Sequence, residues 1–252
     1  MSHDAALLAY VTRLGDNALL LAQRMIEAVT LYPELEEELA NANFALDYLG
    51  QARLFYSYAG ELEGAGRDED DFAFLRDGHE YRNFLLIEQP NGHFGDMVAR
   101  EFLFESFYLL QLEALEQCGD ARLAEIAARA VKEIRYHLRH VANWIVRLGD
   151  GTPESHARMQ QALHDCWQYT GEFFAADEID TAIAEWIAGP DLDALQAQWN
   201  RNVAAVLEEA TLDRPEDGWM ASGGKCGRHS EHLGYLLAEM QHLQRVHPGA
   251  TW

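Results

Sequence analysis

The chain is poor in the residues that break helices and in those that staple small folds. Only 6 prolines are spread over 252 residues, and the stretches between turns are rich in Ala, Leu, Glu, Gln and Arg, which lose least side-chain freedom in a helix. An all-α class follows. Cysteine is scarcer: Cys118, Cys166 and Cys226 are scattered, which argues against a disulfide framework and suits reduced thiols in the cytoplasm. Basic residues number 19 against 42 acidic ones, a net charge of −23. That field repels phosphate backbones and anionic lipid, so neither nucleic acid nor membrane is expected as a partner. Long apolar runs are missing as well. The first segment, MSHDAALLAYVTRLGDNALLL, is broken by Asp4, Arg13 and Asp16, leaving neither a signal-peptide core nor a spanning segment. No repeat is present, and no glycine-rich loop joins a strand to a helix, so the nucleotide folds drop out.

What is there is helical period. A 48% hydrophobic content is ample for one large core. Leu35, Leu39, Ala42, Leu46, Leu49, Arg53 and Tyr56 recur at spacings of three and four, which predicts a helix burying that stripe. Helices are expected over 4–30, 33–60, a shorter one near 72–88, then 93–118, 120–148, 153–175, 191–212 and 229–246. Asp120, Thr152 before Pro153, and Asp191 read as N-caps. The expected arrangement is a single domain over 1–252, with a core bundle over about 4–148 and extra packed helices over about 152–252. The helix over 93–118 carries Phe94, Phe102, Phe104, Phe107 and Tyr108 around more than one face. That exceeds one core stripe and marks a candidate docking surface.

Four long helices before residue 150 invite comparison with the ferritin-like di-iron plan, in which two helices each give one Glu and two others each give Glu-x-x-His. The chain departs from it at two positions. Glu133 lies on a stripe with Ile126, Ala130, His137, His140 and Trp144, but three residues on stands Tyr136. Asp47 is followed three residues later by Gly50, which has no side chain. The remaining helices offer Asp16, and Glu101 and Glu105 on a stripe with Val98, Tyr108 and Leu112. Carboxylate-held iron of this kind needs imidazole nitrogen to complete it, so a working di-iron centre is not expected here. The carboxylates would then pair with Arg53, Lys132 or Arg135, or share protons. His137 and His140, like His229 and His232, are spaced for one helix face and read as hydrogen-bonded side chains more readily than as ligands. The loop SGGKCGRH sets Lys225 and Arg228 among glycines just before a helix, a candidate contact for an anion or a CoA phosphate, weighed against a plain turn.

The segments LGDNALLLAQR, LDYLGQARLF, IEQPNGHFGDMVAR, KEIRYHLRH, GGKCGRHSEHLG and LAEMQHLQRVHPG together resemble the non-catalytic ferritin-like subunits of bacterial phenylacetyl-CoA ring epoxidases, from about Leu14 to the C-terminus. The resemblance implies a ferritin-like bundle that carries no metal and no catalytic residue, with Asp47 and Glu133 as vestigial metal-site positions beside Gly50 and Tyr136, to which helix spacing adds Asp16 and Glu105. It would serve a multicomponent monooxygenase of aerobic phenylacetate catabolism. Implied partners are a catalytic ferritin-like subunit holding the di-iron centre, a further small subunit, and a reductase with NADPH, FAD and an iron–sulfur cluster; phenylacetyl-CoA is the implied substrate of the complex. Two other readings stay open at this point. One is an autonomous di-iron oxidase using Asp47, Glu105, Glu133 and His137, and the other is a helical adaptor unrelated to oxygenases.

Overall fold

A computed structural model describes residues 2–250. Those residues form eleven α-helices and two short 3₁₀ turns, with no strand among them. They divide into two compact units. The first comprises residues 2–30, 34–90 and 222–250, and the second residues 31–33 and 91–221.

In the first unit, α1 (His3–Glu27) packs along α2 (Leu35–Glu63). The pair is antiparallel: the Asn41 amide donates to the Met25 carbonyl at 2.7 Å, while the Tyr56 hydroxyl meets Asp16. Although α1 is long and apolar enough to cross a bilayer, 78% of its most apolar window is buried in the fold. It is a core helix that also buries Arg13, Asp16, Asn17 and Arg24. Where the sequence predicts one helix near 72–88, there are instead α3 (Glu69–Phe74), a 3₁₀ turn at Gly78–Glu80, and α4 (Leu85–Glu88). Arg76 explains the break. Its guanidinium donates to the carbonyls of Phe72 at 2.7 Å and Glu80 at 3.3 Å, stabilising a turn that a continuous helix would not allow. The last helix, α11 (Glu231–Val246), packs on α3 and α4.

The apolar period of α2 points the other way from the sequence expectation. Leu35, Leu39 and Leu46 are 65%, 57% and 63% exposed. The inward face is Asn41, Phe44, Ala45, Tyr48, Gln51, Ala52 and Phe55, where aromatic rings fill the space against α1 better than the leucines opposite. Tyr56 does turn inward, as expected.

In the second unit, α5 (Phe94–Leu115) runs antiparallel to α6 (Ala121–Gly149), and α7 (Pro153–Trp167) and α10 (Leu192–Glu209) also pack on α5. Covered from three sides, α5 buries almost its whole circumference. Phe102, Phe104, Phe107 and Tyr108 are all within 1% of complete burial, so they form core and not a docking surface. Phe94 packs edge-on against Trp144 and Tyr32. The helix expected to reach 175 stops at Trp167. There the Thr170 hydroxyl donates to the Trp167 carbonyl at 2.8 Å and the Ala221 amide donates to the Gln168 carbonyl at 2.8 Å. Two further helices follow, α8 (Gly171–Phe174) and α9 (Glu178–Ile187).

Candidate functional site

Three clusters of buried ionic groups stand out among the described residues, each inside one unit. The first is built on Asp16, which has no exposed surface. Gly15 is what lets it form: a Cβ there would stand 2.5 Å from Cε1 of Tyr56, so only glycine admits that ring onto the backbone of α1. The Tyr56 hydroxyl then donates to Oδ1 of Asp16 at 2.7 Å. Arg76 donates to both carboxylate oxygens, and the backbone N–H of Arg82 donates to Oδ2 at 2.7 Å. Burial, and then the Asp16 charge, push the Tyr56 hydroxyl well above its usual range, so it remains a donor. The carboxylate is thus met by a cation and two further donors, as a buried charge requires.

The second cluster joins α4 to the start of α11. Glu88 is fully buried. It accepts from the Ser230 backbone N–H at 2.6 Å and the Asn83 amide at 3.0 Å, and lies 2.8 Å from Nδ1 of His229. Nε2 of His229 faces the Tyr81 carbonyl at 3.0 Å. A carbonyl can only accept, so Nε2 is the donor in that bond. The glycine-rich loop closes over the same segment. A Cβ on Gly224 would run into the Asn83 carbonyl oxygen, so that close approach also requires glycine. Lys225 is buried, whereas Arg228 is exposed.

The third cluster lies in the second unit. Nδ1 of His137 is 3.7 Å from Oε1 of Glu105, both side chains being fully buried. One turn earlier on α5, the buried Glu101 meets the Tyr32 hydroxyl at 3.5 Å. Burial pushes the Glu101 carboxyl up to about 7, with Arg100 and the Tyr32 bond pulling the other way.

Within each unit, the fold places the vestigial positions apart from one another. Asp16 is bonded at the level of Tyr56, nine residues beyond Asp47, or roughly 13 Å along the axis of α2, so the fold does not bring Asp16 and Asp47 together. A Cβ on Gly50 would meet nothing within 4 Å. In the second unit, Glu133 makes a 3.5 Å pair with Arg129 on its own helix, and Tyr136 is 54% exposed. Glu105 lies with an imidazole, that of His137, one residue beyond the Glu-x-x-His position. No three His, Cys, Asp or Glu side chains converge among the described residues as a metal would need. The residues present do not fit a di-iron centre of the Glu-x-x-His kind.

The expected charge partners also differ. Arg53 pairs with Glu69 and Arg135 with Glu113, each at 2.8 Å, and neither serves a vestigial position. Arg76 and Glu88 escaped the sequence reading. Arg76 lies 60 residues from Asp16 and Glu88 lies 141 from His229, so no local spacing could have joined them.

Two comparisons bear on what kind of protein this is. The chain is 50% identical over 246 residues, 98% of its length and 99% of the relative's, to a 1,2-phenylacetyl-CoA epoxidase subunit of Escherichia coli (strain K12). The family model described as phenylacetic acid catabolic protein matches residues 1–252. With that match covering the helices and all three buried clusters, the chain belongs to the phenylacetic acid catabolic protein family.

Proposed function

We propose that this chain is a structural, non-catalytic subunit of a phenylacetyl-CoA epoxidase, in the cytoplasm, where it binds and supports the subunit that carries the di-iron centre. The observation that carries the reading is Asp16. In a ferritin-like helix pair this buried carboxylate would be available to a metal; here the Arg76 guanidinium, the Tyr56 hydroxyl and a backbone N–H already surround it. Gly50 and Tyr136, at the positions where imidazoles would stand, support it further. The near full-length likeness to a 1,2-phenylacetyl-CoA epoxidase subunit supports membership of an assembly that acts on phenylacetyl-CoA. Electrons from NADPH would reach the di-iron subunit through a separate reductase.

The test is co-expression with a ferritin-like chain that carries intact Glu-x-x-His motifs, followed by size-exclusion chromatography and iron analysis of each separated subunit. The expected result is a stable complex with iron in the sister chain, and oxygen-dependent turnover of phenylacetyl-CoA that falls at least tenfold when this chain is left out. About two irons per copy of this chain, or equal turnover without it, would overturn the reading. On the same reading Arg228, exposed on the glycine-rich loop, is the residue offered to an anionic group of CoA or of the sister subunit, while Lys225 acts from a buried position in that loop.

A further inference from the structure

The exposed face of α2 carries an aligned row of leucines. Leu35, Leu39 and Leu46 fall within about 40° of one another around the helix, from 100° per residue, and span roughly 16 Å along its axis. All three are more than half exposed. Scattered surface leucines need no explanation, but an aligned row is an apolar ridge that solvent penalises. The row continues into a cleft of about 360 Å³ where α2 meets α3, lined by Leu49, Ala52, Arg53, Tyr56, Asp70 and Phe74 among others. A ridge that ends in a cleft is shaped to receive a helix with one larger side chain seated at its end.

The charges beside the ridge say what kind of helix. Glu34, Glu36 and Glu38 flank it at its start and Asp47 follows its last leucine, while no Lys or Arg occurs between Leu35 and Ala52. A second copy of this chain would bring acidic borders together in a molecule already at −23, which like-charge repulsion disfavours. We propose that the Leu35–Leu39–Leu46 face of α2, with the adjoining cleft, is the surface on which the di-iron sister subunit docks, through an apolar helix bordered by Lys and Arg. This rests on the subunit role proposed above and assigns it a place. It also moves the docking surface from α5, whose aromatics are core, to a helix whose apolar residues the fold leaves in water.

The experiment uses the full chain and the purified sister subunit, with affinity read by interferometry or calorimetry at two salt concentrations. Leu39→Glu/Leu46→Glu is the disrupting variant, Leu46→Ala the mild one, and Tyr136→Glu, on an exposed face of α6, the control. Unchanged circular dichroism and melting temperature show that each variant is folded. The double variant should weaken the complex at least 100-fold and Leu46→Ala about 5-fold, while the control stays within 2-fold and the wild-type affinity falls as salt is raised. If the wild-type chain binds and the double variant binds within 3-fold of it, the face is wrong while the subunit role stands. If the wild-type chain does not bind the sister subunit at all, the subunit role fails and this inference fails with it. Self-association of the wild-type chain that the double variant abolishes would assign the ridge to a second copy and overturn the partner named here.

Discussion

Asp16 in the first unit and Glu101 in the second are both buried carboxylates on long helices, and the fold accommodates them by different means. Asp16 is met by a guanidinium, a phenol and a backbone N–H. Glu101 meets a phenol at 3.5 Å, and burial drives its carboxyl up to about 7. One carboxylate is held in a fixed ion pair and the other holds a proton across much of the working range. The contrast shows two ways in which a helical core keeps acidic residues, by a cation or by a proton, with different exposure to pH.

The ion pair can be broken from the cation's side. Arg76→Met leaves Asp16 buried with its charge uncompensated, which should cost about 3–5 kcal/mol in urea unfolding. Adding Asp16→Asn to Arg76→Met should recover more than half of that loss. A cost below about 1 kcal/mol for Arg76→Met would mean that Asp16 is not held as a charge.

The protonated side is sharpened by a pH series. The folded-state value for Glu101 lies above its ordinary 4.5, so the folded chain binds this proton more tightly than the unfolded one. Its contribution is fully present below about pH 4.5, is lost as pH rises through about 7, and is flat beyond. Glu101→Gln removes that slope and should stabilise the chain at pH 8 by about 2–3 kcal/mol, shrinking towards zero near pH 4. Chemical denaturation at five pH values reads both. A gain that does not vary with pH would place the effect in packing instead of titration.

The smallest effect is expected where the sequence motif pointed most directly. Tyr136→His restores Glu-x-x-His lettering on α6, yet the side chain is exposed and Glu133 is paired with Arg129. Stability should move by less than about 0.5 kcal/mol, and anaerobic incubation with ferrous iron should leave iron below about one tenth per chain by elemental analysis. Stoichiometric iron in this variant would erase the distinction between the two units' acidic residues and a working metal site.

The parts of the fold that could be read from the sequence depend on near neighbours. Asp120, Thr152 and Asp191 were legible as caps, and each accepts from a backbone N–H two or three residues on. The long helices were legible from their period for the same reason. A period gives the direction of a face but not what lies on its other side. The Leu35–Leu39–Leu46 row and the Phe44–Tyr48–Phe55 row of α2 are both helical, and only the packing of α1 decides which is inside. On α5, three neighbouring helices turned an apparent surplus of aromatics into core. The broken ligand lettering at Gly50 and Tyr136 was plain in the sequence. Arg76 as the partner of Asp16 was not, since it sits in a segment whose composition reads as helix and whose structure is a turn.

The path of the chain through the first unit sets an order of assembly. Residues 91–221 are synthesised before 222–250, yet Glu88 receives His229 and Ser230 from that last segment, and the Gln241 amide donates to the Arg76 carbonyl and the Tyr81 hydroxyl, both at 3.0 Å. At ordinary translation rates the wait between the two parts is on the order of ten seconds. Throughout it the second unit, drawn almost wholly from one continuous stretch, can complete its own contacts, while α1 to α4 stand without their closing helix. The segment over 222–250 therefore acts as a latch on the first unit: a chain cut short after residue 221 would lack the groups that meet Glu88, Arg76 and Tyr81, and its first unit should be cleaved by protease faster than its second.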